Sequence, residues 1–265
     1  GLQQVFAGVG FKVLDNLSIG ANISYIYGDI THSVTTAFSN SSSFSSVRLD
    51  KISINDYKLD FGLQYSYKFN KKHVLNFGAV YSLGHSVNGK GYKYNQKWLN
   101  GADYPSTQTG DTITNAFSLP HTFGAGLTYV YDNRLTIGAD FTYQQWEDAK
   151  FYNEKSYFSN RTKIAAGAEF VPNPYSRNYL KRVRYRVGGY YSDPYTKVDG
   201  QDGTREYGVS AGFGFPLFQS KSILNISGQY VRVSPKVKGM LEENYLKINI
   251  GLTFNERWFM KWKVD

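Results

Sequence analysis

Hydrophobic and polar residues alternate with period two along most of this chain. In Leu17–Tyr25 the odd positions are apolar or aromatic and the even ones small or polar, and Tyr57–Tyr67 continues that alternation without a fault. The same pattern returns at Leu75/Phe77/Ala79/Tyr81/Leu83, Phe123/Ala125/Leu127/Tyr129/Tyr131 and Leu135/Ile137/Ala139/Phe141/Tyr143. It recurs again at Ile164/Ala166/Ala168/Phe170, Tyr207/Val209/Ala211/Phe213/Phe215 and Leu246/Ile248/Ile250/Leu252/Phe254. Successive side chains of a strand point to opposite faces, so each run predicts a strand with one apolar and one polar face. Eleven strands are expected, near 3–13, 16–30, 51–68, 73–87, 121–131, 134–147, 161–171, 183–195, 204–215, 222–235 and 244–255. A soluble β-sandwich alternates in the same way. Two features favour an antiparallel transmembrane β-barrel. The runs last about ten residues, the length a tilted strand needs to cross a bilayer, whereas soluble strands average about six. The polar face is also rich in glycine and contains several charges, which suits a wet or plugged lumen.

Composition sharpens this. Aromatics make up 17% of the 265 residues, with 23 Tyr, 18 Phe and 26 Gly, yet mean hydropathy is only −0.44. Aromatic abundance with low hydropathy is what an outer-membrane barrel requires. No stretch reaches the ~18–20 apolar residues of a spanning helix. The absence of cysteine excludes a disulfide framework and a zinc–thiolate site. The net charge of +9 is scattered, with a knot at Arg177–Arg186. Anionic head groups of outer-membrane lipid, or an acidic partner, explain it better than nucleic acid, which most of such a barrel could not reach.

Connection lengths orient the strands. Short turns fall at Leu14–Asn16, Asn70–Lys72, Asp132–Asn133 and Pro216–Ser222, with a longer connection at Pro172–Arg182 on the same side. Long connections fall at 31–50, 88–120, 148–160, 196–203 and 236–243. Bacterial barrels keep short turns in the periplasm and long loops outside, so the first and last strands both run inward. These barrels hold an even number of strands and start in the periplasm, so an odd number of N-terminal strands is expected upstream. The predicted division is a barrel over 1–255 and a periplasmic tail over 256–265. Aromatic girdles are expected at both interfaces, with Tyr27, Trp146 and Tyr195 at the outer rim and Tyr67, Phe69, Tyr131 and Trp258 at the inner. Leu59, Phe61, Leu63, Ile137, Phe141, Ile248 and Leu252 are expected to face lipid.

Two segments carry a family resemblance: the opening hairpin Gly8-Val9-Gly10-Phe11-Lys12-Val13-Leu14-Asp15-Asn16-Leu17-Ser18-Ile19-Gly20, and the ending Gly251-Leu252-Thr253-Phe254-Asn255-Glu256-Arg257-Trp258-Phe259. Both resemble the FadL-like family of long-chain fatty-acid and hydrocarbon transporters, in its Bacteroidota form. The resemblance implies a fourteen-stranded barrel with an N-terminal plug. This chain would supply eleven strands, with three and the plug missing. It also implies an outer-membrane location and passive uptake of hydrophobic small molecules. The alternative is a non-transporting structural or accessory subunit among other outer-membrane proteins. A continuous apolar path inside the barrel would favour uptake, and a lumen closed by ion pairs would favour the structural role.

The candidate residues follow from these faces. Lys58, Asp60, Lys68, Asp140, Glu169, Arg184, Arg186 and Lys247 point into the lumen, where charge must be paired or hydrated. They form either a bracing network or a polar path. The lumenal glycines leave room for a plug or substrate, or permit curvature. The aromatic loop 88–120, with Tyr92, Tyr94, Trp98, Tyr104 and Phe117, either captures hydrophobic ligands, as the resemblance implies, or forms a packed lid or a protein–protein contact. No catalysis is expected. Two of the four histidines, His32 and His85, are followed by serine, and neighbours on a strand point apart; His73 lies in a turn and His121 has no such neighbour. No cofactor or metal motif is present.

Overall fold

The computed structural model describes residues 1–39, 45–99, 102–103, 113–152, 155–198, 200–217, 222–236 and 241–254; of these, the side chains of 96, 98, 99, 102, 103 and 198 are left out. The strands are β1 (Leu2–Leu14), β2 (Leu17–Thr36), β3 (Ser45–Lys68), β4 (His73–Ser82), β5 (His85–Val87), β6 (Gly89–Leu99), β7 (Ala102–Asp103), β8 (Ile113–Thr114) and β9 (Phe117–Leu119). They continue as β10 (Thr122–Tyr131), β11 (Leu135–Gln144), β12 (Arg161–Phe170), β13 (Arg184–Ser192), β14 (Lys197–Val198), β15 (Gln201–Asp202), β16 (Thr204–Pro216), β17 (Ile223–Pro235) and β18 (Glu243–Thr253). Single 3-10 turns lie at Trp146–Asp148 and Tyr179–Arg182.

Eleven of the fourteen strands of one antiparallel sheet follow in the order β1-β2-β3-β4-β10-β11-β12-β13-β16-β17-β18, with β6, β7 and β8 branching from β3. Each wall strand pairs with its sequence neighbour in the wall, as up-and-down topology with short turns requires. The turn at Asp132-Asn133 shows why the chain reverses there. Both residues have positive φ, 49° and 52°, and Arg134 N donates to Tyr131 O at 2.8 Å. That is the primed turn whose twist matches flanking strands. Among the described residues β1 and β18 each have a ladder on one side only.

The register carries the alternation across the whole sheet. One row reads Leu127–Ala139–Ala166–Gly189–Val209–Tyr230–Leu246, and the next reads Thr128–Gly138–Gly167–Gly188–Ser210–Gln229–Lys247. The first row is apolar and the second small and polar, so the two faces stay separate from strand to strand. Of the expected lipid-facing residues, Phe61, Leu63, Ile137, Phe141, Ile248 and Leu252 lie exposed on the apolar face and Leu59 is half-buried on it.

Four expectations are corrected. The connection drawn at 31–50 is mostly strand: β2 and β3 pair as far as Thr36↔Ser46. β6, drawn as part of a loop, pairs with β3 from Ser45↔Trp98 to Ile54↔Gly89. With a rise of about 3.3 Å per residue, the upper parts of β2, β3 and β6 form a blade well beyond the ten-residue strands. The alternation there is weaker, because lysine and aspartate sit among isoleucines; Ile52 and Ile54 are buried, and the ladder carries the strands on beyond them. The strand drawn at 73–87 ends at Ser82, and β5 leaves the sheet to pair with β9. At Gly84 a Cβ would meet His121 N at 2.3 Å, so only glycine allows the chain to turn off there. The strand drawn at 134–147 stops at Gln144, and Trp146 begins a 3-10 turn.

Candidate functional site

The polar face holds two ion-pair groups. On β12 and β13, Glu169 and Arg186 are direct cross-strand partners. Arg184 Nη1 donates to Glu169 Oε1 at 2.8 Å and Arg186 Nε to Oε2 at 2.6 Å. Arg186 Nη1 reaches on across β16 to Asn225 Oδ1 at 2.7 Å, and Asn225 Nδ2 donates to Thr253 Oγ1 at 3.2 Å. This chain of contacts links β12, β13, β17 and β18. On β3, Lys58 pairs with Asp60, which also accepts from Ser82 Oγ on β4. Asp140 has no ion pair among the described residues, and Lys247 lies over the Tyr245 ring at 5.9 Å. The expected lumenal charges therefore share one face, but they divide into separate clusters. Glu169, Arg184 and Arg186 join in one cluster and Lys58 and Asp60 in another.

At the long-loop end the polar face turns apolar. Ile26, Ile52 and Ile54 occupy its even positions, and Val87, Ala116, Phe117, Ala149, Tyr152 and Phe158 cover them to form the buried core. Three connections interlock to build this cap. Tyr152 N donates to Ala116 O at 2.7 Å, Ser118 N to Lys150 O at 3.1 Å and Ser159 N to Tyr195 O at 2.9 Å. Trp146 packs 5.2 Å from both Phe158 and Tyr195. Burial pushes the Tyr152 phenol up to about 12, with the Asp50 charge adding to it. Gly91 is required beneath the cap, since a Cβ there would lie 3.0 Å from both Ala116 Cβ and the Tyr152 ring. On the loop edge, Ser159 Oγ and Lys236 Nζ both donate to Asp202, at 2.6 and 2.9 Å. Those two bonds hold its carboxyl below the usual range.

Of the expected loop aromatics, Tyr92 and Tyr94 are half-buried on β6 with rings 6.4 Å apart, and Phe117 is buried in the cap core. Trp98 pairs through its backbone with Ser45 and Asp103, and its side chain lies outside the described residues, as do Tyr104, Trp258 and the tail. The girdle sets fall at opposite ends of the strands. Tyr27 and Trp146 are at the long-loop end, and Tyr67, Phe69 and Tyr131 are at the short-turn end. The histidines engage tyrosines rather than nucleophiles: His73 Nδ1 lies 2.6 Å from Tyr129 Oη and His121 Nδ1 2.8 Å from Tyr81 Oη. Among the described residues no three His, Cys, Asp or Glu side chains gather as a metal site.

Two hollows lie back to back across β1–β4 and β10. One, of about 610 Å³, opens on the apolar face among Val9, Phe11, Phe61, Tyr81 and Phe123. The other, of about 500 Å³, opens on the polar face among Ser18, Gln64, Asn76, Thr128 and Asp140. Ile19, Gly20, Gly62, Leu63, Ala79 and Val80 line both, so the wall between them is one backbone thick. A Cβ at Gly62 or Gly78 would meet nothing within 4 Å. The ladder Gly20–Gly62–Val80–Gly124 is nevertheless unbroken. The wall is thin there, and it is closed.

These faces, turns and strand order define an all-β protein with the fold of the FadL-like barrels. The chain is similar to a Pseudomonas aeruginosa FadL homologue at 17% identity and a TM-score of 0.53, over 89% of this chain and 60% of that one. It is similar to the Ralstonia pickettii toluene transporter TbuX at 13% identity and 0.58, over 96% and 68%. The RagAB peptide importer in its closed-closed state matches at 10% identity and 0.56, over 97% of this chain and 35% of that one. The chain thus spans well under the full length of these proteins. The BamG family model matches residues 1–265, and the chain belongs to the BamG family. No curated protein matches the sequence.

Proposed function

We propose that this chain forms the wall of an outer-membrane β-barrel that serves as a non-transporting, accessory subunit of a larger outer-membrane assembly. The observation that carries this reading is the state of the polar face. Ion pairs and hydrogen bonds tie it together across β12, β13, β17 and β18, and an interlocked apolar core covers its long-loop end. Among the described residues this face carries ion pairs and polar side chains between cap and short turns, rather than the continuous apolar track that a path for hydrophobic molecules needs. The family name, BamG, agrees with association with other outer-membrane proteins. An unpaired strand edge costs several kcal/mol per backbone group in hydrocarbon. The free edges of β1 and β18 are therefore closed by further strands, and the apolar face lies against lipid.

A second reading, passive uptake of hydrophobic molecules, is favoured by the paired hollows across the glycine-thinned wall and by the transporters of similar fold. Uptake into proteoliposomes separates the two. The accessory reading expects labelled oleate and toluene to enter no faster than into empty vesicles. Saturable uptake, abolished by Gly62→Phe in the thin wall, would establish the second reading instead.

A further inference from the structure

The polar face holds a third hollow, of about 310 Å³, whose lining includes Arg186, Ser210, Asn225, Ser227, Gln229 and Asn249. Its chemistry is one-sided. The lining has a guanidinium, hydroxyls and amides but no carboxylate. The nearby carboxylate is Glu169, which two arginines share. Lys247, directly across from Gln229, has no ion pair among the described residues. Three cations therefore stand against one anion.

The register explains how the donors come together. Arg186, Gly212, Ser227 and Asn249 form one cross-strand row, and Gly188, Ser210, Gln229 and Lys247 form the next. Facing residues lie about 5 Å apart. Gly212 is bare because a Cβ there would meet Ser227 Cβ at 2.7 Å and Ile226 O at 3.0 Å. The Arg186 side chain crosses that bare strand to reach Asn225, which brings its guanidinium over β16 beside Ser227. Nε and Nη1 are committed to Glu169 and Asn225, and Nη2 has no partner among the described residues. The side chains of Ser227, Gln229 and Asn249 form no hydrogen bond within the described residues. Unspent donors around a permanently charged guanidinium are the arrangement that accepts an oxyanion.

We propose that this hollow is a binding subsite for an oxyanion head group, a carboxylate or a phosphate. The site does not depend on whether the barrel transports. Its test is calorimetric titration of the full chain in non-ionic detergent with inorganic phosphate, acetate, dodecyl phosphate and laurate. Uncharged dodecanol is the control. Saturable binding of charged probes and none of dodecanol is expected. Preference for the phosphate or the carboxylate pair identifies the head group, and a gain from the alkyl tail identifies an amphiphile rather than a free ion. Asn249→Leu and Ser227→Ala lie outside the ion-pair chain and are expected to preserve folding. Each removes a donor to a charged group, so each is expected to weaken binding about tenfold. Arg186→Gln is expected to abolish it. Absence of saturable binding, or unchanged affinity in both Asn249→Leu and Ser227→Ala, overturns the proposal. So does binding of an acidic peptide with none of the four anionic probes.

Discussion

Phe141 and Asp140 are neighbours on β11 and point to opposite faces, so one substitution at each position separates the two faces energetically. Phe141 faces Ala125 and Ile164 on the apolar side, and Asp140 faces Gly126 and Ala165 on the polar side. Phe141 lies six residues above Leu135. At about 3.4 Å per residue and a tilt of about 45°, that places it roughly 14 Å above the short-turn end. In the proposed barrel the apolar band is about 25 Å tall, which puts Phe141 near its middle. Arg at that depth costs about 2–4 kcal/mol on the lipid face, whereas Asp140→Arg exchanges one unpaired lumenal charge for another and is expected to cost less than about 1 kcal/mol. Equilibrium unfolding of the full-length protein from phospholipid vesicles reads both values, with Phe141→Leu as the volume control. Phe141→Arg should lower stability by the larger amount and Asp140→Arg should stay near wild type. Equal costs, or a larger cost at Asp140, would refute the assignment of faces.

Other consequences are as direct. Glu169→Gln removes the carboxylate shared by Arg184 and Arg186. Complete burial would raise the cost to about 3–5 kcal/mol; with these side chains about 27–40% exposed, about 1–2 kcal/mol is expected in the same unfolding assay, and a neutral effect would show that the bracing carries no energy. Asp202 has its folded pKa lowered by Ser159 and then Lys236, so its contribution is present above the ordinary carboxylate pKa and lost as pH falls through the lowered value. Proteolysis within 193–203 should therefore accelerate below about pH 4, and Asp202→Asn should show the acid rate already at neutral pH. The buried Tyr152 hydroxyl has no hydrogen-bond partner among the described residues, so Tyr152→Phe is expected to match or exceed wild-type stability by about 1 kcal/mol; a loss of more than that would reveal a bond to the hydroxyl.

The wall was legible in the sequence because alternation is a local signal. All eleven strands and their directions follow from period two and from the Asp-Asn and Asn-Lys turns. The cap was read only as one alternative for the 88–120 loop, although a sharper signal for it exists: Ile26, Ile30, Ile52 and Ile54 are apolar at even positions, where the polar face calls for small or charged residues. That local reversal marks where the polar face becomes core. The partners that cover it come from two different connections, Phe117 from one and Tyr152 and Phe158 from another, and no local pattern links them. The charged candidates were legible as a set on one face, but their grouping was not. Arg186 finds Asn225 across β16 because Gly212 leaves the way clear, a relation of register rather than of spacing.

The accessory-subunit account is tested most directly by purifying the tagged full-length protein from native outer membranes in mild detergent and determining the mass of the intact particle. The account predicts a particle of fixed stoichiometry with other outer-membrane proteins and no hydrophobic ligand held in the barrel. A lone barrel with a stoichiometric fatty acid or hydrocarbon inside it would contradict the account.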